Sequence, residues 1–430
     1  MTSGLTPNSG PLKGIRVLEF GSFVAGPWGG VLLTDMGADV IKVEPPSGDP
    51  WRQAAPFVPN ESRVFIPLNR GVRSICVDLK RDSAPAVLRK LIEASDGIIS
   101  NNRRDTAIKL GIDYDTVSKI NPKLVYVDIT AYGPEGPKAD MPGFDLILQG
   151  YTGAVMSEGK LTDSLQPEVV WSSSYIDFST GYAAANGILA GIIGRSQTGK
   201  GQLVSTSLLA NAIAMQTLRV TDIGEIPAPA KTWHREVYPE LTRQGASYQA
   251  IQDSYQRAVR PMAYRCYYRA YTTRDGGLAL GTLAFPARAR LLDLFGLEDP
   301  RVTDPENYES TPEANEIGER LMDTFEKIFA GNTTDHWVRE LRSHDIPCEP
   351  IRYVEEMVDD EQVLANKYVV ELEHHTGNMI RTSGPILRFK DGMPEETSSP
   401  ALGQHTDQVL LDIGYSTDEI AELRSQGSVG

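Results

Sequence analysis

Residues 15–44 constrain the fold more than any other stretch. A strand run over 15–20 (IRVLEF) is followed by a glycine-rich turn over 21–30 (GSFVAGPWGG), a helix pattern over 27–36 and a second strand run over 39–44 (DVIKVE). Two strands this close, joined through a helix, form the βαβ unit of a parallel sheet, because parallel neighbours need a crossover connection. The glycines do not spell GxGxxG, so no nicotinamide or flavin site is read here. A tight turn that seats the helix on the sheet explains them as well as ligand contact does.

The alternation continues. Strand runs at 73–79, 97–100 and 124–129 are separated by helix patterns at 84–94, 107–110 and 114–120. A doubly wound α/β sheet is expected, and such sheets bind ligands at the carboxyl ends of their strands. Asn101, Thr130, Tyr132 and the 21–30 turn fall there. After a turn-rich connection over 132–150, residues 171–209 hold one carboxylate, Asp177, in a run with no other charge between Glu168 and Arg195. Helix is expected through Ile193, then a turn over 197–202 and a strand over 203–207. A carboxylate set beside such an apolar segment loses hydration. It is then a neutral buried acid, a helix cap, or a nucleophile. Asp145 reads as the cap of a short helix over 144–149, and Glu135 as a solvated turn residue.

The character changes after about residue 220. Residues 233–274 carry seven arginines (235, 243, 257, 260, 265, 269 and 274) in a chain of net charge −15. They form either a solvated helix surface or a basic wall for phosphates or a carboxylate. Helices over 286–295, 311–329 and 334–344 with a strand over 276–284 suggest a smaller α+β domain. The acidic balance argues against nucleic acid and against an anionic membrane surface. The three cysteines are far apart, the six histidines show no metal-ligand spacing, and adjacent His374 and His375 point apart on a helix or strand. No metal is expected. No apolar run spans a bilayer, and the polar 1–10 tail, expected to be disordered, lacks a signal-peptide core. The expected location is the cytoplasm.

Several ordered pieces carry a family resemblance. They are PLKGIRVLEFGSFVAGPWGGVLLTDMGADVIKVEPP at 11–46, LNRGVRSICVDLK at 68–80, AYGPEGP at 131–137 and PGFDLILQGYTG at 142–153. The block from Asp177 to TGKGQLVSTSLL at 198–209, IPCEPI at 346–351 and PALGQHTDQVLLDIGYSTDEIAEL at 400–423 complete them. The chain resembles the class III CoA-transferases, the group that contains formyl-CoA transferase and carnitine CoA-transferase. The resemblance implies a large Rossmann-like domain from both chain ends (11–222 and 351–430), a small α+β domain (223–350), and a homodimer of interlocked rings, with a heteromer as the alternative. It implies that Asp177 attacks the thioester of an acyl-CoA to give a mixed anhydride and then an aspartyl-CoA thioester. No permanently bound cofactor is implied; a CoA thioester and a carboxylic acid are the substrates, with succinyl-CoA as a candidate donor and a dicarboxylate as acceptor.

The coenzyme positions carry over unevenly. Asn101 and Tyr132 match family residues. Lys109 stands where formyl-CoA transferase has an arginine, Thr130 where it has a lysine, Val24 where it has a glutamine, and Pro45 where it has an arginine. Arg73 and Arg104 are then the candidates for phosphate pairing. The departures argue against oxalate as acceptor. Three competing readings remain. Transfer could occur within one diacid. The chain could be a CoA-binding subunit for an active partner, which a retained Asp177 disfavours. It could be an α-methylacyl-CoA racemase, whose histidine would fall within 132–145, where this chain has none.

Overall fold

In the computed structural model the described residues are 9–226, 228–259, 262–304 and 312–430. Most of the 1–10 tail, Arg260 and Thr311 lie outside them. The chain divides into two units: residues 1–162, 166–221 and 358–430 form the first, and residues 163–165 and 222–357 the second.

The first unit is built on six strands: β1 (Arg16–Phe20), β2 (Asp39–Glu44), β3 (Arg73–Cys76), β4 (Gly97–Ser100), β5 (Val125–Thr130) and β6 (Gln202–Ser207). Their order is β3-β2-β1-β4-β5-β6, and every pairing is parallel. Alternate residues enter opposite faces, as the period-2 side-chain alternation of a strand requires. Val17, Ile99, Val125 and Val127 join one core, and Leu18, Ile98 and Tyr126 the other. The first core lies against α1 (Ala25–Thr34). The second lies against α2 (Ala84–Glu93) and two C-terminal helices, Thr406–Asp412 and Thr417–Ser425. The last residues are stitched to the end of β3, where Gly430 N–H donates to Cys76 O and Asp78 N–H to Ser428 O. From β1 the chain winds outward to β2 and β3, then returns to place β4 on the other side of β1. The strand order therefore reverses between β1 and β4, which is where such sheets open a ligand crevice.

The second unit holds an antiparallel three-stranded sheet, β7 (Tyr268–Thr272), β8 (Gly277–Gly281) and β9 (Cys348–Pro350), in the order β9-β8-β7. Helices Phe285–Phe295, Pro312–Ala330 and Thr334–Ser343 close a core around Leu291, Phe325, Phe329 and Leu341. Three of its described arginines are matched within the unit, Arg235 by Glu236, Arg243 by Glu240 and Arg269 by Glu326. These pairings favour the solvated-surface reading over a basic wall. The three cysteines are free and buried. Among the described residues no helix is long and apolar enough to cross a membrane.

Candidate active site

The site is built where β1 and β4 end. Gly21 follows β1 and Asn101 follows β4. The Asn101 side chain accepts from Ser22 N–H at 3.0 Å and donates to Ser22 O at 2.8 Å, so one amide clamps the glycine turn across the switch point. The turn needs its glycines for close approach. A Cβ on Gly21 would stand 2.2 Å from Glu19 Oε1. Below it, buried Lys42 donates to Glu19 at 2.9 Å and to Gly21 O at 3.0 Å, and pairs with Asp49 at 3.0 Å. At the tip Phe23 adopts φ +66°, a left-handed conformation costly for a bulky residue. Its ring meets Trp51 and Phe144 edge-on, each at 5.5 Å.

The residue after Phe144 carries the next link. Asp145 is buried and opens α3 (Asp145–Tyr151). The sequence reading makes it the cap of its own helix; the structure corrects this. Its Oδ2 accepts the backbone N–H of Ile176 at 2.8 Å and of Asp177 at 3.2 Å, and its Oδ1 accepts from Gln149 at 2.6 Å. It therefore caps α4 (Tyr175–Thr198), which runs five residues past the expected Ile193 end. Gln149 in turn brackets Val170 through both its amide atoms, at 2.9 and 3.1 Å. The reading of Asp177 as the cap fails for the same reason. Its helix already has its first donors taken, and Asp177 sits in the first turn rather than before it.

The small-residue character of α4 has its own cause. Helix α4 packs beside α1 on the same face of the sheet. A Cβ on Gly181 would meet Trp28 at 2.8 Å and Ala25 O at 2.9 Å, and one on Gly191 would meet Val125 at 2.3 Å. Trp28 then packs edge-on against Phe178 at 5.2 Å and Tyr182 at 6.1 Å. This packing fixes the start of α4 against the glycine turn's helix. The neighbouring hydroxyls of Ser179 and Thr180 both donate to Ile176 O, not to Asp177. The half-buried Asp177 carboxyl is left with two influences. Burial pushes it up, and the Asp145 charge adds to that, so it reaches about 7 from an ordinary 3.8. The helix start favours the anion, but the two opposing effects win. A carboxylate whose oxygens no donor among the described residues holds, and with a pKa near neutrality, keeps its lone pairs for an electrophile.

The remaining sequence candidates are distributed unequally. Thr130, at the end of β5, accepts from Gly133 N–H at 3.0 Å and shapes the turn into the 132–143 loop. Tyr132 is partly buried against Tyr151, ring to ring at 5.4 Å, with the Lys138 ammonium over both. Arg104 and Lys109 lie exposed on the helix Arg104–Leu110 that follows Asn101, Lys109 loosely paired with Asp105 at 3.8 Å. Val24 is buried in the core beneath α1, so its side chain is not offered to a ligand. Arg73 is also corrected. It is buried, forks Asp39 at 2.8 and 2.6 Å, and reaches Asp412 at 2.9 Å. Those carboxylates leave its guanidinium nothing for a phosphate. Arg73→Ala is therefore expected to cost roughly 3 kcal/mol in urea unfolding, because it strands buried carboxylates, while KM for an acyl-CoA stays unchanged. A raised KM at unchanged stability would restore the phosphate role. Glu135 is exposed, as a solvated turn residue should be. A cavity of about 570 Å³ opens at the other ends of β4 and β5, but its Arg195 is bound to Asp96 at 2.9 Å and the cavity lies away from this chemistry.

Comparison with known proteins places the chain among its relatives. The family model described as CoA-transferase family III matches residues 12–406. A succinate–glutarate CoA-transferase of Agrobacterium fabrum is 32% identical, with 94% of this chain and 96% of that protein covered. A succinyl-CoA:glutarate CoA-transferase of Mus musculus is 29% identical over 97% of this chain and 90% of that protein. Among solved structures, a CAIB/BAIF family protein from Brucella suis superposes with a TM-score of 0.72 at 26% identity, covering 94% of this chain and all of that one. These relatives carry CoA-transferase names and the matching family model is one of CoA-transferases, so racemization is not favoured. With a matching model over nearly its whole length, the chain belongs to CoA-transferase family III.

Proposed function

We propose that this enzyme moves CoA from a succinyl-CoA-type donor to a second carboxylic acid, a dicarboxylate, with Asp177 as the nucleophile. The observation that carries the reading is the Asp177 carboxyl: half-buried, free of hydrogen bonds from donors among the described residues, and raised to about 7 at the start of a capped helix. The names of the two relatives, one for succinate and glutarate and one for succinyl-CoA and glutarate, support the donor and acceptor class. Asp177 attacks the thioester carbonyl, the C–S bond breaks, and CoA leaves as thiolate with an acyl-aspartyl anhydride behind it. The thiolate then takes the aspartyl carbonyl and releases the donor acid. The acceptor carboxylate displaces CoA from the aspartyl thioester, and the thiolate finally attacks the acceptor's carbonyl and returns Asp177 free. Each step exchanges one activated acyl bond for another, so water must be kept out.

In this reading Asn101 and the clamped turn receive the coenzyme, Tyr132 stands near the thioester, and Arg104 and Lys109 are the exposed cations for its phosphates. The chain works as a homodimer. Large apolar side chains of the first unit, Trp171 at 82% and Leu218 at 96% exposure, support a partner surface that covers them. The deciding assay incubates the purified enzyme with succinyl-CoA and a panel of mono- and dicarboxylic acids. A new acyl-CoA forming in equal amount to released succinate is expected. Hydrolysis alone, or α-deuterium exchange without CoA exchange, would defeat the proposal.

A further inference from the structure

Away from Asp177, the first unit gathers a second group of side chains. Glu61 opens the second strand of a short hairpin (Pro56–Val58 with Glu61–Ser62), and His374 and His375 follow the strand Val369–Glu373. The sequence reading makes the two histidines point apart. They leave the strand into its turn instead, and their rings lie 4.0 Å centroid to centroid. His375 Nε2 stands 2.9 Å from Glu61 Oε1, and His374 Nε2 stands 3.5 Å from Glu61 Oε2 and 3.4 Å from Ser399 Oγ. The donor atoms of all three side chains lie within 4.8 Å of one another.

Two features separate this group from an ordinary ion pair. Glu61 is 1% exposed, yet no donor among the described residues makes a hydrogen bond to its Oε2. A buried carboxylate oxygen without a partner is costly, so it calls for one. The His374 Nδ1 meets Thr376 Oγ1 at 2.8 Å and Thr376 N–H at 3.4 Å, which fixes the ring and leaves Nε2 as the atom presented to Glu61. With a metal on Nε2, the proton sits on Nδ1 and is donated to Thr376 Oγ1, the orienting bond such histidines use. The nearby cation does not fill the place. Arg52 forks Glu44 at 2.7 and 2.9 Å, which balances its charge, donates to Asn60 O and Pro400 O at 3.1 Å each, and of the Glu61 oxygens reaches Oε1, at 3.0 Å. Ligand atoms of a tetrahedral ion with bonds of about 2.0–2.1 Å stand about 3.3 Å apart, close to the 2.9 and 3.5 Å that separate the two Nε2 atoms from the Glu61 oxygens.

We propose that Glu61, His374 and His375 bind one divalent transition-metal ion of the zinc or cobalt type, with a solvent ligand completing it. Two imidazoles and a carboxylate are the donor set for such borderline ions rather than for magnesium or calcium. His375 is partly exposed, which gives the ion a way in. The site joins a hairpin near the start of the chain to one near its end, so it is a fastening rather than part of CoA transfer.

The test uses the full chain, stripped with a chelator and dialysed, then titrated with Zn²⁺ and with Co²⁺. One ion per chain is expected, with visible d–d absorption for Co²⁺ and a higher melting temperature with Zn²⁺. His375→Ala and His375→Gln should each weaken binding at least roughly tenfold and abolish the melting shift, whereas His344→Ala should change neither. Absence of stoichiometric binding by the folded protein, or binding that both His375 variants leave intact, would overturn the site.

Discussion

Asp177→Asn is expected to lower kcat by at least about a thousandfold and, at the same time, to make the protein more stable above pH 7. The two effects share one cause. In the native chain this carboxyl holds its proton to about pH 7, while in the unfolded chain it ionises near 3.8. Below 3.8 both states are protonated and the side chain costs nothing. As pH rises towards 7 the unfolded state releases the proton more readily, so native stability falls; above 7 the native protein carries an unpaired half-buried charge. Asparagine never carries it. The gain in melting temperature should therefore be absent near pH 4 and full near pH 8. A carboxylate that served as a structural cap would behave in the opposite way, since its loss would destabilise. The same titration sets the wild-type rate: kcat/KM should rise as pH increases through about 7 and then level off.

Replacing Asp145 should separate positioning from charge. Asp145→Ala removes the acceptor for two backbone N–H groups at the start of α4 and the partner of Gln149. It should cost about 2 kcal/mol in stability and, by loosening the turn that holds Asp177, lower kcat roughly tenfold to a hundredfold. Asp145→Asn keeps an acceptor oxygen but removes the negative charge that raises its neighbour. The acid limb of its pH–rate profile should move below 7, with a smaller loss of stability. If Asn leaves the limb in place, the charge of Asp145 does not act on Asp177, and burial alone sets the pKa.

The parallel sheet was legible because its strands are short apolar runs punctuated by glycine and proline, and β2 and β4 begin and end where the pattern places them. Asp177 stood out because no charge lies near it in sequence. Its setting was not legible, since Asp145 acts across 32 residues through a bond to another helix's backbone. A buried acid just before an apolar turn, with glutamine four residues on, was the available signal. Phe23 gave none, because its left-handed backbone is imposed by the Asn101 clamp and the rings around it. Strands β7 and β9 were missed because their pairing with β8 is non-local, and arginine and proline in them hide the alternation. Arg73 misled because a basic residue opening a strand reads as exposed, whereas Asp39 and Asp412 draw it inside. The histidine pair failed as a spacing argument because its third member, Glu61, lies at the other end of the chain.

The central claim is that Asp177 becomes acylated during turnover. The most direct measurement incubates the enzyme with succinyl-CoA, quenches it with hydroxylamine or borohydride, and maps the digest by mass spectrometry. A stoichiometric mass change on the peptide carrying Asp177, abolished in Asp177→Asn, is the expected result. Full turnover with that peptide unmodified, or a trapped adduct on any other residue, would contradict it.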